Sequence, residues 1–224
     1  MKIYKDIQQG TDRWFEIRHG KVGGSRLEKI MTNLDKPVRS CAEYLSILAE
    51  NMEDHDPFEV KYQSAEMARG NEFEPMAREE YERINGVKVD QIGWAQHDEL
   101  KLVGISPDGL IPSINKAIEI KCPSCNTHLS YVIDPKKLIE KYCWQIVDYF
   151  LVLKVDSVDC ISYRPENKLK PIVIETVTPD TVISISKKEA FRVGELVVMA
   201  GNRLIELEKC IGEDIEKLSS VNVF

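Results

Sequence analysis

Two acidic residues eleven positions apart, Asp108 and Glu119, and an ammonium two positions further on, Lys121, are the groups in this sequence best suited to chemistry. Asp108 stands in Ser106-Pro107-Asp108-Gly109-Leu110, where proline fixes the approach and glycine permits a tight turn after it. Glu119 and Lys121 stand in Ala117-Ile118-Glu119-Ile120-Lys121 and alternate with apolar Ile118 and Ile120, so a strand of period two puts them on one face. If turn and strand are adjacent, two carboxylates and an ammonium converge on an otherwise apolar sheet. Carboxylate oxygens are hard ligands for Mg²⁺, and a cation near the attacking water and the developing phosphorane charge completes what phosphodiester hydrolysis needs. Beside a bound metal, Lys121 would lose proton affinity and orient or deprotonate that water. Either piece alone is ordinary surface structure; both in this order are far more specific.

The elements that must position these groups follow from spacing. Thr11 caps a short helix carrying Trp14, Phe15 and Ile17, ended by Gly20. Gly23-Gly24-Ser25 leads into a second helix with an S-x-x-E capping box, Ser25 to Glu28, and an apolar face of Leu27, Ile30 and Met31. Ser40 to Glu43 repeats that signature ahead of Leu45, Leu48 and Ala49. Residues 65–84 read as a helix with a kink or fresh start at Pro75 and a stop at Gly86. Strands are predicted over 87–95, 100–105, 117–121, 159–163 and 172–177, a buried helix over 142–153, and a long helix over 186–218. Leu204, Ile205, Leu207 and Ile211 on that last helix face either a subunit interface or the core. Helices before, within and after a small sheet imply one α/β domain, residues 1–224, with a central mixed sheet flanked by helices.

Composition bounds the rest. At 224 residues, 43% hydrophobic and 30% charged, the chain is an ordinary globular one with no low-complexity tract. A net charge of -7 argues against a generally basic coat for nucleic acid, yet acidic residues that hold cations are compatible with a phosphodiester substrate. No secretory signal or membrane-length apolar run is present, so a cytoplasmic protein is expected, with its six cysteines reduced. Cys122-Pro123-Ser124-Cys125 has metal-type spacing but lacks the remaining zinc or iron–sulfur ligands, and the four histidines, 19, 55, 97 and 128, fit no triad spacing.

The acids and lysine resemble the PD-(D/E)XK nuclease motif, here Pro107-Asp108 and Glu119-x-Lys121. Trp14-(x)3-Arg18-(x)6-Ser25, Arg69-Gly70-(x)3-Glu74, Glu119-Ile-Lys-Cys-Pro123 and Tyr142-(x)2-Gln145 occur in the order of the lambda-exonuclease, or YqaJ-type viral recombinase, family, to which the chain is similar from about residue 9 to 164. The resemblance implies a restriction-endonuclease-like fold and a Mg²⁺-dependent deoxyribonuclease, with Mn²⁺ as a substitute and two ions per site. It implies metal ligation by Asp108, Glu119, the backbone carbonyl of Ile120 and, for a second ion, Glu74, with Lys121 as the catalytic lysine. Asp98, ten residues before Asp108, matches a further family acid or is a plain charged turn. Arg18 and Ser25 match a pocket for a 5′-phosphate, where a helix start attracts an anion and arginine clamps it; a simple cap at Ser25 and a solvated Arg18 are the alternatives. Gln145 contacts nucleotide or water by resemblance, or makes a structural hydrogen bond within an apolar helix. Lys136, Lys137 and Lys141 either line a DNA groove or form a solvated face.

The activity so implied is 5′→3′ exonuclease action on double-stranded DNA ends, releasing 5′-mononucleotides by two-metal hydrolysis. The resemblance further implies a homotrimeric ring and a partner single-strand annealing protein in phage-type recombination, inside a bacterial or phage-infected cell, with no membrane. An endonuclease of the same fold, or a DNA-end binding protein without turnover, are the rival readings. Cleavage of a covalently closed circle marks the first; metal-independent end binding without nucleotide release marks the second.

Overall fold

Alternation along one strand divides the molecule into its layers. In the computed structural model, which describes residues 1–32, 34–52, 65–186 and 188–220, the chain runs β1 (Lys2–Tyr4), α1 (Asp12–Arg18), α2 (Ser25–Met31), α3 (Tyr44–Met52), α4 (Ala65–Asn85), β2 (Trp94–Gln96), β3 (Gly104–Ile105), β4 (Gly109–Ile111) and β5 (Lys116–Lys121). It continues with α5 (Cys125–Ile133), α6 (Lys136–Lys141), α7 (Cys143–Leu153), β6 (Ser157–Tyr163), β7 (Ile172–Val177), β8 (Val182–Ser184), β9 (Ala190–Arg192) and α8 (Val193–Ser219). On β5 the even residues Ile118 and Ile120 join Ala77 and Tyr81 of α4 in one apolar cluster. Odd Ala117 packs with Ile146, Val147 and Phe150 of α7 and with Leu196, Leu204 and Leu207 of α8 in a second, larger one. One sheet is thus sandwiched between α4 and the α7–α8 layer.

That sheet is mixed, in the order β4-β5-β6-β7, with β5 and β6 parallel and the outer pairs antiparallel. β1-β2-β3 form a separate antiparallel sheet, and β8-β9 a two-stranded hairpin. The expected single α/β domain with a helix-flanked mixed sheet is what the chain forms. No helix among the described residues is long and apolar enough to cross a membrane.

Several boundaries differ from expectation for local reasons. The terminal helix begins at Val193, not near 186, because β-branched Val182 and Ile183 pair with Arg192 and Phe191 first. On α8, Leu204, Leu207 and Ile211 enter the core and Ile205 stays 57% exposed. α4 runs through Pro75 without ending, and its Met67, Met76 and Ile84 face outward while Ala77 and Tyr81 face in. On α3 the inner residues are Tyr44, Ile47 and Leu48, with Leu45 72% exposed. Within 87–95 only Trp94 and Ala95 are strand, and 100–105 shortens to two residues; the turn between is held by the Gln96 amide nitrogen on the carbonyls of Leu100, Lys101 and Val103.

Neither capping box forms. Gly24, at φ +49, caps α2, which makes Ser25 its first helical residue. Glu43 instead bonds Arg26 and Lys29, at 2.9 and 2.7 Å. Gly109 is required for a reason other than turn freedom: it opens β4 at negative φ, and a Cβ there would lie 2.2 Å from Val89 Cγ1.

Candidate functional site

The β4–β5 hairpin brings the two acids together. Its register pairs Gly109 with Ile118, so one step outward Asp108 lies opposite Glu119. Asp108 Oδ2 accepts the Ile120 N–H at 2.6 Å, which anchors the carboxylate to the neighbouring strand. Glu119, on the α7 side of the sheet, is buried, and its two oxygens are engaged separately: Oε1 by Lys121 Nζ at 2.5 Å, Oε2 by the Tyr149 hydroxyl at 2.5 Å. Lys121 Nζ also lies 4.7 Å from the centre of the Tyr142 ring.

Charge in this corner is unbalanced. Burial, first, and then the negative charges of Glu119 and Glu74 push the Asp108 carboxyl well above the usual range. Burial lowers the proton affinity of Lys121, but Glu119 and Asp108 outweigh it, so the lysine holds its proton more firmly than a free one. Three carboxylates therefore face the fixed cations of Lys121 and of Arg78, which pairs with Glu74 and donates to the Asp108 carbonyl at 3.1 Å. Among the described residues no three His, Cys, Asp or Glu side chains form a ready metal cage. Magnesium does not require one, since it binds through one or two carboxylates and keeps several waters. The hard oxygens of Asp108 and Glu119, with their excess of negative charge, fit such an ion. Asp98 stands outside the group: it lies on the β2–β3 connection and bonds Lys154 at 2.7 Å.

Arg18 is the last residue of α1 and Ser25 the first of α2. The Arg18 guanidinium stacks 3.9 Å from the Trp14 ring centre, with Trp94 at 5.9 Å, and has no ion-pair partner among the described residues. Burial, then Arg26, lower its pKa to about 10, still a cation at neutral pH. Trp14 Nε1 donates to Ser106 Oγ at 2.8 Å, which ties α1 to the turn that carries Asp108. Ser25 is exposed, and the Gly24 N–H before it is taken by Asp148 at 2.7 Å, while the Arg26 and Leu27 N–H groups bond the carbonyls of Gly23 and Gly24. Less of that helix start is free for an anion than its sequence suggests. Arg26 is fully occupied by Glu43, Glu50, Ser46 and the Lys21 carbonyl. Gln145 is half-buried on α7, one turn before Tyr149 and so on the same face.

Asp148 and Tyr149 escaped the sequence reading because they sit inside an apolar helical run with partners 124 and 30 positions away. Asp148 is wholly buried, its Oδ1 has no partner among the described residues, and burial, with a smaller push from Glu119, raises its pKa to about 7. Lys141 Nζ lies 5.4 Å from the Tyr142 ring centre and Lys137 pairs with Asp134 at 4.0 Å. His128 is a buried pin between Ser162 and the Lys170 carbonyl, His97 accepts two turn N–H groups, and His55 lies outside the described residues. All six cysteines are free thiols.

Comparison with known proteins bears on this arrangement. Residues 13–155 match the model of the YqaJ-like viral recombinase domain. The structure is similar to that of an alkaline exonuclease from Laribacter hongkongensis, with TM-score 0.74, 24% identity, and coverage of 93% of this chain and 96% of that one. It is also similar to the same exonuclease in complex with dAMP, with TM-score 0.70, 25% identity, and coverage of 95% and 100%. A phage-related exonuclease from Haemophilus somnus 129PT shares the fold at TM-score 0.62 and 15% identity, over 91% of this chain and 99% of that one. No curated protein sequence matches.

Proposed function

Because the chain belongs to the YqaJ-like viral recombinase domain family, which supports a nuclease role, we propose that it is a magnesium-dependent 5′→3′ exonuclease acting on double-stranded DNA ends. The observation that carries the reading is the placement of Asp108 opposite Glu119 with Lys121 Nζ on Glu119 Oε1. Asp108, Glu119 and the Ile120 carbonyl would hold one ion, with Glu74 toward a second. Bound magnesium supplies Lewis-acid stabilisation of the phosphate charge and acidifies water.

The protein's own groups do the rest. Lys121, protonated between Glu119 and the Tyr142 ring, presents a fixed cation to a phosphate oxygen and orients the attacking water. Arg18, held over the Trp14 ring with no carboxylate paired to it among the described residues, offers a guanidinium to a 5′-terminal phosphate near Ser25. The Trp14–Ser106 bond keeps that end pocket at a set distance from Asp108, which is what removal of one nucleotide at a time from an end requires. Gln145, on the face of Tyr149, contacts the nucleotide or the water. A homotrimeric ring and a partner single-strand annealing protein belong to the same proposal and are supported by family membership alone.

Release of acid-soluble nucleotide from linear duplex DNA, with and without a 5′-phosphate and with Mg²⁺, Mn²⁺ or EDTA, tests the reading. Metal-dependent release favouring the phosphorylated end is expected. Release indifferent to the 5′-phosphate would remove the Arg18 pocket, cutting of a covalently closed circle would make the protein an endonuclease, and end binding without release would make it a binding protein.

A further inference from the structure

We propose that Tyr149 is a positioning residue of this site, one that holds both metal-binding acids in a single arrangement through its hydroxyl. That hydroxyl accepts the Asp108 N–H at 3.2 Å, donates toward Glu119 Oε2 at 2.5 Å, and lies 3.0 Å from the Ile118 carbonyl. It therefore touches the turn bearing one acid, the side chain of the other, and the strand between them. The hairpin alone does not enforce this: Asp108 and Glu119 repel each other, and Lys121 restrains only Oε1 of Glu119.

The support is stiff. Tyr149 is 1% exposed on α7 between Ile146, Val147 and Phe150, all in the main core, so the phenol oxygen is placed by packing. One phenol proton serves one acceptor at a time. It goes to Glu119 Oε2 while that oxygen lacks another partner, and the Ile118 carbonyl is in reach when Oε2 is claimed elsewhere. The hydroxyl thus orients Glu119 without a second charge and gives way without being left unpaired.

The role rests on reading Asp108 and Glu119 as metal ligands, and the experiment separates the two. Mn²⁺ binding to the DNA-free protein is measured by calorimetry for wild type and Tyr149→Phe, next to nucleotide release against metal concentration. Loss of a partner that orients a ligand weakens metal binding by about tenfold at the low end, so the variant is expected to bind Mn²⁺ about tenfold more weakly and to regain most of its turnover at saturating metal. Equal affinity in the two proteins, or lost turnover that no metal concentration restores, overturns the positioning role and leaves the nuclease reading intact. A wild type that binds no Mn²⁺ overturns both. If Tyr149→Phe does not melt cooperatively, 3-fluorotyrosine at position 149 replaces it: a ¹⁹F resonance that moves on addition of Mg²⁺ supports the role, and one that stays fixed overturns it.

Discussion

Asp108 lies directly across the β4–β5 hairpin from Glu119, and the protein keeps these carboxylates face to face at a cost to its own stability. A free aspartate ionises near pH 3.9 (roughly), and burial with Glu119 and Glu74 raises Asp108 above that. The unfolded chain therefore binds fewer protons in this range, so stability falls as pH rises from the unfolded value through the folded one, and the full penalty applies above it. Asp108→Asn removes that penalty. In EDTA at pH 8 the variant should melt higher than wild type, by about 2–4 °C for each kcal/mol relieved, while its nucleotide release is lost. Mg²⁺ should raise the wild-type melting temperature and leave that of the variant nearly unchanged. A variant that melts lower than wild type in EDTA would contradict the charge balance drawn for this corner.

Lys121→Ala separates metal binding from turnover. The ammonium sits on Glu119 Oε1 and opposes a second cation there, so its removal should leave Mn²⁺ binding intact or tighter. Nucleotide release should drop by about 10²–10⁴, the range for losing one group that acts on the transferred proton or charge. Calorimetry beside the release assay checks both. Weakened metal binding with a proportionate loss of rate would make Lys121 a structural partner of Glu119 only.

The convergence of the two acids and the lysine was legible because period two puts Glu119 and Lys121 on one face and the Pro107-Asp108-Gly109 turn precedes that strand, and they do share the face that the hairpin turns toward Asp108. The mixed sheet and its flanking helices were legible from helix caps, helical apolar spacing and β-branched runs, and from the order in which these follow one another. Tyr149 and Asp148 were not, because a tyrosine and a lone aspartate in Cys143–Leu153 look like part of a buried helix, and their partners at 119 and 24 are set by tertiary contact. The start of α8 was misplaced because residues 182–192 carry no turn signal strong enough to announce the β8–β9 hairpin. At Ser25 the capping rule misled: the S-x-x-E pattern is present, but Gly24 takes the cap and Asp148 takes its N–H.

Arg18→Ala tests the proposed end pocket. The guanidinium is held on Trp14 and remains a cation at pH 8, with its pKa lowered only to about 10. A hydrogen bond to a charged group contributes roughly 1.5–3 kcal/mol, so the variant should lose about 10- to 100-fold of the wild-type preference for 5′-phosphorylated over 5′-hydroxyl ends. Its rate on 5′-hydroxyl ends should change little. Competition between the two ends in one reaction reads this ratio, and an unchanged ratio would place the 5′-phosphate elsewhere.

Asp148 supplies a pH dependence of a different origin from that of Asp108. It is wholly buried, it holds the Gly24 N–H at 2.7 Å, and burial, first, raises its pKa from 3.8 to about 7. The sign follows from proton binding: below the unfolded value the folded and unfolded carboxyls are both protonated and there is no penalty, which then accumulates up to about pH 7 and is constant above it. At about 1.36 kcal/mol per pH unit the full penalty is on the order of 4 kcal/mol at most. Asn at this position keeps an oxygen for Gly24 and cannot ionise. Urea unfolding of the metal-free proteins at pH 5 and pH 8 should show Asp148→Asn gaining stability over wild type, and gaining more at pH 8 than at pH 5. An equal difference at the two pH values would mean that Asp148 does not titrate between them, and its role would reduce to the hydrogen bond that fixes the start of α2.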